Sequence, residues 1–392
     1  MTSLQTSLQT IHIVGAGLAG LTLARSLKNS GIKTVIFEKN PSPAKHAYGI
    51  TLQPWACLAL LRILNIDEST FYQRVAVDSV NGGRGYVYEK FPISPRTHSL
   101  PSPLRAHCGR LEGLLRENLD IKFGHALEDV TRNGTGKTTL SFKDQETIES
   151  EFTVDTCGVH SQIRRCLLPE QQLNILPYVV FRGTRRLQRH EFTHTYEPHF
   201  KAANIITCKT KNILLQIQIN DYKKDPSIVD ISYVYSRPAR TDDKLHRPER
   251  KLRDSVNVSE AFFTEIAELE DLEPPFQACF IVEKMREERI LHWLMRNIVI
   301  PSDQLSELAQ EGIVLIGDSA HAMPIIGGEG ANFAIIDAAE MAEAIMERGK
   351  LGMGGFFQEK DNVWQQAVKK GEERLRDMHA PLLFLKLSSS AL

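Results

Sequence analysis

Three glycines near the start of the 392-residue chain have the spacing of a dinucleotide-binding loop. Gly15, Gly17 and Gly20 follow a short apolar run and open a helical pattern, and Glu38 ends the next apolar run. Such glycines allow a tight turn and a close approach to a pyrophosphate, and the helix start supplies free N–H donors. A carboxylate at the position of Glu38 can accept hydrogen bonds from ribose hydroxyls. The pattern predicts a dinucleotide site without distinguishing FAD from NAD.

A second glycine-rich segment lies much further along the chain. Residues 317–332 read GDSAHAMPIIGGEGAN and follow an apolar, strand-like run. Asp318 offers an acceptor, and a long helical pattern begins near Gly330, Ala331 and Asn332. A helix start presents N–H donors and the positive end of the helix dipole. The segment therefore predicts a strand, an acidic residue and an anion-binding helix start in close succession.

Together these two motifs resemble those of the class A flavoprotein monooxygenases, the family of hydroxybenzoate hydroxylase and of many fungal secondary-metabolite oxygenases. The resemblance extends over nearly the whole chain. It implies that FAD is the cofactor, that Asp318 accepts from its ribityl hydroxyls, and that the N–H groups at residues 330–332 face the flavin pyrimidine edge. It also implies that NAD(P)H reduces the flavin and that O₂ supplies an oxygen atom to an electron-rich, aromatic or alkene-bearing small molecule. The sequence does not distinguish hydroxylation, epoxidation and Baeyer–Villiger insertion.

Other positions match the family pattern less completely. Gly49 resembles a glycine that lies near the flavin in family members. Where they carry a cofactor-binding arginine, this chain has Cys108. Arg105 or Arg110 could replace that arginine, because either guanidinium could reach a phosphate. Arg182 resembles an arginine kept on a strand near the active site, and it is our candidate for a catalytic or pocket residue.

Three departures from the family pattern leave an alternative open. Besides Cys108, the chain has Cys157 in place of an acidic residue in a second nucleotide fingerprint, and Ile325 in place of a proline in the flavin-facing turn. These changes do not affect the predicted fold, but they weaken the case for tight FAD binding and efficient reduction. A diverged relative that catalyses a non-redox step is therefore the first alternative.

A zinc hydrolase is the second alternative. Residues 190–194, HEFTH, match the H-E-x-x-H zinc pattern, which needs a helix to bring both imidazoles to one face. We predict sheet in this region, so we interpret the match as accidental and assign no metal. We likewise expect His321 to support the glycine-rich turn rather than to act as a base.

The periodicity of apolar residues predicts the elements that position these groups. Strand 11–14, helix 18–29 and strand 34–38 form a βαβ opening, which indicates a parallel sheet. Residues 178–236 alternate as antiparallel strands do, with polar and apolar side chains on opposite faces. We expect the polar face and the aromatic face, which carries Tyr233 and Tyr235, to line the substrate side.

The predicted fold class is α/β, a Rossmann-type FAD-binding domain with an inserted, mostly antiparallel β-sheet substrate domain. The FAD-binding domain comprises residues 1–177 and 290–392, with some sheet elements shared. The substrate domain comprises residues 178–289.

Composition and charge favour a globular protein with a small-molecule substrate. The 47 Lys and Arg residues nearly balance the 48 Asp and Glu residues, which argues against nucleic acid or an anionic membrane as partner. No apolar stretch approaches the ~20 residues of a membrane helix, and no basic and apolar leader opens the chain. The six cysteines show no C-x-x-C spacing, so we expect a reducing, cytoplasmic location. The sequence does not indicate an oligomeric state.

Overall fold

The structure is a computed structural model that describes residues 10–87, 103–132, 137–201, 203–222, 225, 227–349 and 353–381. Its strands are β1 (Ile11–Val14), β2 (Thr34–Glu38), β3 (Gly49–Leu52), β4 (Leu104–His107), β5 (Ile121–Phe123), β6 (Leu127–Arg132), β7 (Thr138–Phe142), β8 (Ile148–Ser150), β9 (Thr153–Asp155), β10 (Asn174–Gln188), β11 (Ile205–Thr210), β12 (Ile213–Tyr222), β13 (Ile228–Pro238), β14 (Ile290–Val299), β15 (Ile313–Leu315) and β16 (His321–Ala322). Its helices are α1 (Leu18–Asn29), α2 (Pro54–Leu64), α3 (Glu68–Val75), α4 (Cys108–Arg116), α5 (Gln162–Leu167), α6 (Arg189–Glu191), α7 (Glu197–Phe200), α8 (Glu260–Ala267), α9 (Pro274–Cys279), α10 (Val282–Arg286), α11 (Ser302–Gln310), α12 (Gly330–Arg348) and α13 (Met353–His379). Among the described residues, no helix has the length and apolar character needed to cross a bilayer.

A parallel sheet gathers the nucleotide-binding motifs at one edge. Its strand order is β15-β9-β1-β2-β5, and β1 pairs in parallel with both β2 and β9. The carboxyl ends of parallel strands meet at the same edge of the sheet. The glycine loop follows β1, Glu38 ends β2, and Asp318 follows β15. This arrangement is the Rossmann-type unit that the sequence predicts.

Helix α1 packs against this sheet and against α12, and a glycine makes the close packing possible. A Cβ atom on Gly20 would lie 2.1 Å from the carbonyl oxygen of Gly15 and 2.6 Å from Oγ1 of Thr156. Any side chain here would therefore push α1 away from the strands. Fully buried residues of α1 and α12 include Leu21, Leu23, Leu27, Ile335 and Met341.

Six antiparallel strands, in the order β11-β12-β13-β10-β14-β16, form the second large sheet. On β13, Tyr235 lies opposite Leu215 and Tyr233 lies opposite Ile217. Both tyrosines therefore share the apolar face, where they are buried in a core with α8 and α9. The prediction that the aromatic face lines the substrate side is wrong, because cross-strand pairing puts these rings beneath the helices. The polar face of β12, residues Gln216, Gln218 and Asn220, lines a cavity instead.

The antiparallel sheet takes strands from both of the chain segments that the sequence separates. β10 starts at Asn174, ahead of the predicted boundary at 178, and β14 and β16 come from the segment after 289. A mostly antiparallel sheet thus accompanies the parallel unit, and the predicted fold class is confirmed. The division into two domains stays a prediction.

Candidate active site

A cavity of about 1120 Å³ lies between the antiparallel sheet and the loop that leads into α12. One wall is the loop that leads into α12, together with the start of that helix. A second wall is β3, and the third is the polar face of the antiparallel sheet. The candidate residues that the cavity brings together are Gly49, Arg105, Arg182, Asp318, Gly330, Ala331 and Asn332.

The glycine loop next to this cavity has the features of a phosphate site. Glu38 accepts a hydrogen bond from the backbone N–H of Ala16 at 2.9 Å, and its other oxygen accepts from Asn40. A Cβ atom on Gly17 would meet no atom within 4 Å, and no side chain caps the start of α1. Open space in front of uncapped N–H groups suits a pyrophosphate, since the donors and the helix dipole both favour negative charge. The residues present therefore fit a dinucleotide.

Asp318 lies against the start of α12. A Cβ atom on Gly330 would lie 3.0 Å from Oδ1 of Asp318, so the glycine permits this contact. Burial raises the pKa of Asp318. Within the described residues its carboxylate forms no hydrogen bond or ion pair, which leaves it available to the hydroxyl groups of a ligand.

Asp337 holds the turn that carries Asp318 in place. Its carboxylate accepts from the backbone N–H of Gly317 at 3.1 Å, from Nε1 of Trp364 at 3.0 Å and from the imidazole of His321. His321 is fully buried and does not line the cavity. Its position is that of a residue that supports the turn.

Two asparagine side chains hold β3 between the helix and the sheet. The amide of Asn332 accepts from the backbone N–H of Gln53 at 2.7 Å and donates to the carbonyl of Thr51 at 3.0 Å. Asn220, on β12, accepts from the backbone N–H of Gly49 at 3.2 Å. Neither side-chain contact was expected from the sequence. For Asn332 only the backbone N–H was considered, and for Asn220 only the face of the strand that carries its side chain.

The candidate arginines separate into two groups. Arg105 and Arg182 are buried and line the cavity. Arg110 does not line it, because its guanidinium pairs with Asp221 at 2.9 Å and contacts Ser79. Of the two candidates for a phosphate-binding arginine, only Arg105 reaches the cavity, at the end that contains Gly49 rather than at the glycine loop.

Cys108 is enclosed by its neighbours. It is buried next to Tyr48 and Glu112, and burial raises the pKa of its thiol to about 12. Cys108, His46 and Glu112 are the one group of three potential metal ligands in the described part of the chain. Nδ1 of His46 lies 2.8 Å from Glu112, a hydrogen bond that satisfies both groups without an ion.

Asp155 holds the loop after β9, which carries Cys157 and the second nucleotide fingerprint. Asp155 is fully buried, and it accepts from the backbone N–H of Cys157 at 2.9 Å and from the hydroxyl of Ser161. The thiol of Cys157 lies 3.2 Å from the carbonyl of Val14, below the glycine loop. Asp155 was not among the expected site residues, because it stands outside the family pattern. Ile325 lines the cavity and is half exposed.

The segment 190–194 is helical, so the prediction of sheet there is wrong. α6 leads into a π-helical turn, Phe192–Tyr196, and then into α7. His190 and His194 nevertheless form no cluster with a third potential ligand among the residues that the structure describes. The helix alone therefore does not make a zinc site.

Comparisons with known proteins agree with the dinucleotide site that the geometry indicates. Residues 8–175 and 280–350 match the family model described as FAD binding domain. The chain is 30% identical over 395 residues to the FAD-dependent monooxygenase adaC of Aspergillus niger, an alignment that covers 95% of this chain and 94% of that protein. The chain belongs to the FAD-dependent monooxygenases. This assignment favours the oxidoreductase over the non-redox alternative and over the zinc hydrolase.

Solved structures show the same fold as this monooxygenase. The tetracycline destructase Tet(55) is 17% identical with a TM-score of 0.69, and the match covers 95% of this chain and 91% of that one. The 2,6-dihydroxypyridine-3-hydroxylase of Arthrobacter nicotinovorans is 16% identical with a TM-score of 0.71, covering 95% and 93%. The departures at positions 108, 157 and 325 thus occur within the family fold.

We predict that Asp318→Ala weakens FAD binding, because it removes a buried acceptor for ribityl hydroxyls. The expected loss is about 1–3 kcal/mol, or roughly five- to 150-fold in Kd. Titration of the apo-protein with FAD measures it. The control is Asp230→Ala, which removes a cavity carboxylate that already pairs with Arg186 at 3.1 Å. Equal affinity of Asp318→Ala and wild type would contradict the assignment.

Proposed function

We propose that this FAD-dependent monooxygenase uses NAD(P)H and O₂ to hydroxylate or epoxidise a small aromatic or alkene-bearing natural product in secondary metabolism. When bound, FAD supplies hydride acceptance and oxygen activation. A cytoplasmic location is part of the proposal, and it is supported by six cysteines that are all unpaired.

The observation that carries this proposal is the size and composition of the cavity. Pockets for one drug-sized ligand occupy about 300–1,000 Å³, and this cavity of about 1120 Å³ exceeds that range. It is large enough for a flavin ring and a second planar molecule side by side. Apolar side chains such as Leu291, Trp293, Met323 and Met378 form part of its lining and would limit the access of water to the reaction.

The chain's own groups would bind and orient the two molecules. We propose that Gly15, Gly17, Gly20 and Glu38 bind the pyrophosphate and adenosine ribose, and that Asp318 binds the ribityl chain. The N–H groups at residues 330–332 would stabilise negative charge on the reduced ring, because they stand at the positive end of α12. Gly49 would let β3 approach the ring closely.

A group of cations next to the nucleotide loop supports a dinucleotide reductant. Desolvation and then the positive charges of Arg296, Lys39 and Arg165 lower the pKa of His160 to about 4. Within the described residues, none of these three cations forms an ion pair. Lys39 directly follows Glu38, so the group lies beside the proposed adenosine site. Unpaired cations here would attract the phosphates of NAD(P)H.

We predict that turnover transfers one atom of O₂ to the organic product. A panel of planar phenols would be screened for compounds that stimulate NAD(P)H oxidation, and the active compound would then be incubated under ¹⁸O₂. The product should gain one ¹⁸O atom, since a monooxygenase divides O₂ between product and water. Label that enters only from H₂¹⁸O would contradict a monooxygenation.

We predict that Arg296→Ala weakens the binding of NAD(P)H about ten-fold or more by removing a charge-assisted contact, with the limiting rate of flavin reduction unchanged. Anaerobic stopped-flow reduction at several NADH and NADPH concentrations separates the two quantities. Arg132→Ala, which removes an exposed arginine paired with Glu311, makes the same change in net charge and serves as control. An unchanged Kd in Arg296→Ala would refute this docking position.

A further inference from the structure

Three side chains of different metal-ligating types meet beside β3. Cys108 and Glu112 belong to α4, and His46 belongs to the segment that leads into β3. One nitrogen, one sulfur and one carboxylate oxygen from these side chains all lie within 4.8 Å of one another. Residues four apart on a helix share a face, so α4 directs two of these groups to one point and the preceding segment supplies the third.

The backbone holds the three side chains together. The N–H of Cys108 donates to the carbonyl of Tyr48 at 2.9 Å, and the N–H of Gly109 donates to the carbonyl of His46 at 3.2 Å. A Cβ atom on Gly109 would lie 2.5 Å from the carbonyl oxygen of His46, so the lack of a side chain permits this close approach. Ligands that are positioned before binding lose little conformational freedom when an ion binds.

Hydrogen-bonding protons already join the three groups. Nδ1 of His46 lies 2.8 Å from one carboxylate oxygen of Glu112 and 3.0 Å from the other. The thiol of Cys108 also hydrogen-bonds to this carboxylate, and the hydroxyl of Tyr48 hydrogen-bonds to the sulfur. These protons lie between the ligand atoms, where one divalent ion would contact all three groups. The Tyr48 hydroxyl would then donate to the bound thiolate, as groups around metal ligands commonly do.

The ligand types favour zinc over a hard cation. Thiolate sulfur, imidazole nitrogen and carboxylate oxygen all bind Zn²⁺, whereas Mg²⁺ and Ca²⁺ take oxygen ligands. A divalent ion with one thiolate, one carboxylate and one neutral imidazole has no net charge. This neutrality matters because Cys108 and Glu112 are only 2% and 3% exposed, and an unpaired charge would be costly there.

The spacing also suits one tetrahedral ion. Bond lengths of about 2.0–2.3 Å put the ligands of a zinc ion roughly 3.3–3.6 Å apart. The widest separation in the group is at most 4.8 Å, so the three atoms need to move together by no more than about 1.5 Å. The His46 side chain is 39% exposed and lines the cavity, which gives an ion a path to the site.

We propose that His46, Cys108 and Glu112 bind one zinc ion that fastens the segment before β3 to α4. The ion displaces the thiol proton and the proton between His46 and Glu112, and it keeps one coordination position for water. Because His46 and Tyr48 form part of the cavity wall, the ion stabilises that wall. This site goes beyond the proposed function, since neither FAD nor the substrate takes part in it.

The test uses the full-length protein, freed of metals with a chelator and then titrated with Co²⁺ as a spectroscopic substitute for zinc. In the difference spectrum we expect one ion per chain, a thiolate-to-cobalt charge-transfer band and the intense visible bands of a four-coordinate ion. Added Zn²⁺ should remove these signals and raise the midpoint of thermal unfolding. Failure to bind one ion per chain, or binding without the thiolate band, would overturn the proposal.

Variants assign the binding to the three side chains. Cys108→Ser should abolish the charge-transfer band and weaken zinc binding by more than about 100-fold, since the loss of a group that only supports a ligand already costs roughly 10–100-fold. Glu112→Gln and His46→Gln should weaken zinc binding similarly. His46 is partly exposed, so His46→Gln decides the matter if either buried variant fails to fold.

Cys166→Ser is the matched control. The thiol of Cys166 contacts a single carboxylate, that of Asp129 at 3.6 Å, and it belongs to no three-ligand group in the described part of the chain. Zinc affinity should therefore equal that of wild type. An unchanged affinity in His46→Gln, or an equal loss in Cys166→Ser, would refute the assignment.

Metal binding and flavin function are measured separately. A protein that binds FAD and is reduced by NAD(P)H but takes up no zinc would contradict the zinc site alone. A protein that takes up zinc but binds no FAD would contradict the proposed function alone.

Discussion

The site depends on the position of β3, which is held by two buried amide side chains. Asn332 pairs with the backbone on either side of Leu52, and Asn220 pairs with Gly49. Leaving such a buried backbone group without a hydrogen bond costs about 1–3 kcal/mol of folding stability. The two asparagine side chains therefore hold β3 in its position. Because Asn332 stands in the first turn of α12 and Asn220 on the antiparallel sheet, β3 links the nucleotide-binding unit to the polar face of that sheet.

Polar groups buried near the cavity fall into two kinds, and the difference indicates their roles. Asp337 and Asp155 have several hydrogen-bond partners each, and they hold the loops after β15 and β9. Asp318, Arg105 and Arg182 face the cavity with unused hydrogen-bonding capacity. A folded chain rarely leaves buried polar atoms unpaired without a functional reason. The fully paired groups therefore shape the site, and the incompletely paired groups that line the cavity are available to ligands.

Local sequence patterns predicted the nucleotide-binding unit well and the cavity less well. The βαβ opening has the predicted bounds, because helix and strand periodicity and glycine spacing are local properties. Alternation along β12 and β13 identified which residues share a face, but it could not tell which face meets the cavity, and so Tyr233 and Tyr235 were placed on the wrong side. The partner of Arg110, Asp221, and the partners of the Asn332 amide depend on contacts distant in sequence. The π-helical turn at 192–196 gave no periodic signal.

This cavity and the adjacent glycine loop are expected to bind FAD despite Cys108, Cys157 and Ile325. The most direct measurement is the stoichiometry of FAD binding, obtained by adding FAD to the apo-protein, removing the unbound cofactor and recording the visible spectrum. We expect one FAD per chain, with flavin bands shifted from those of free FAD by the enclosed site. A folded protein that stays colourless after incubation with excess FAD would contradict it.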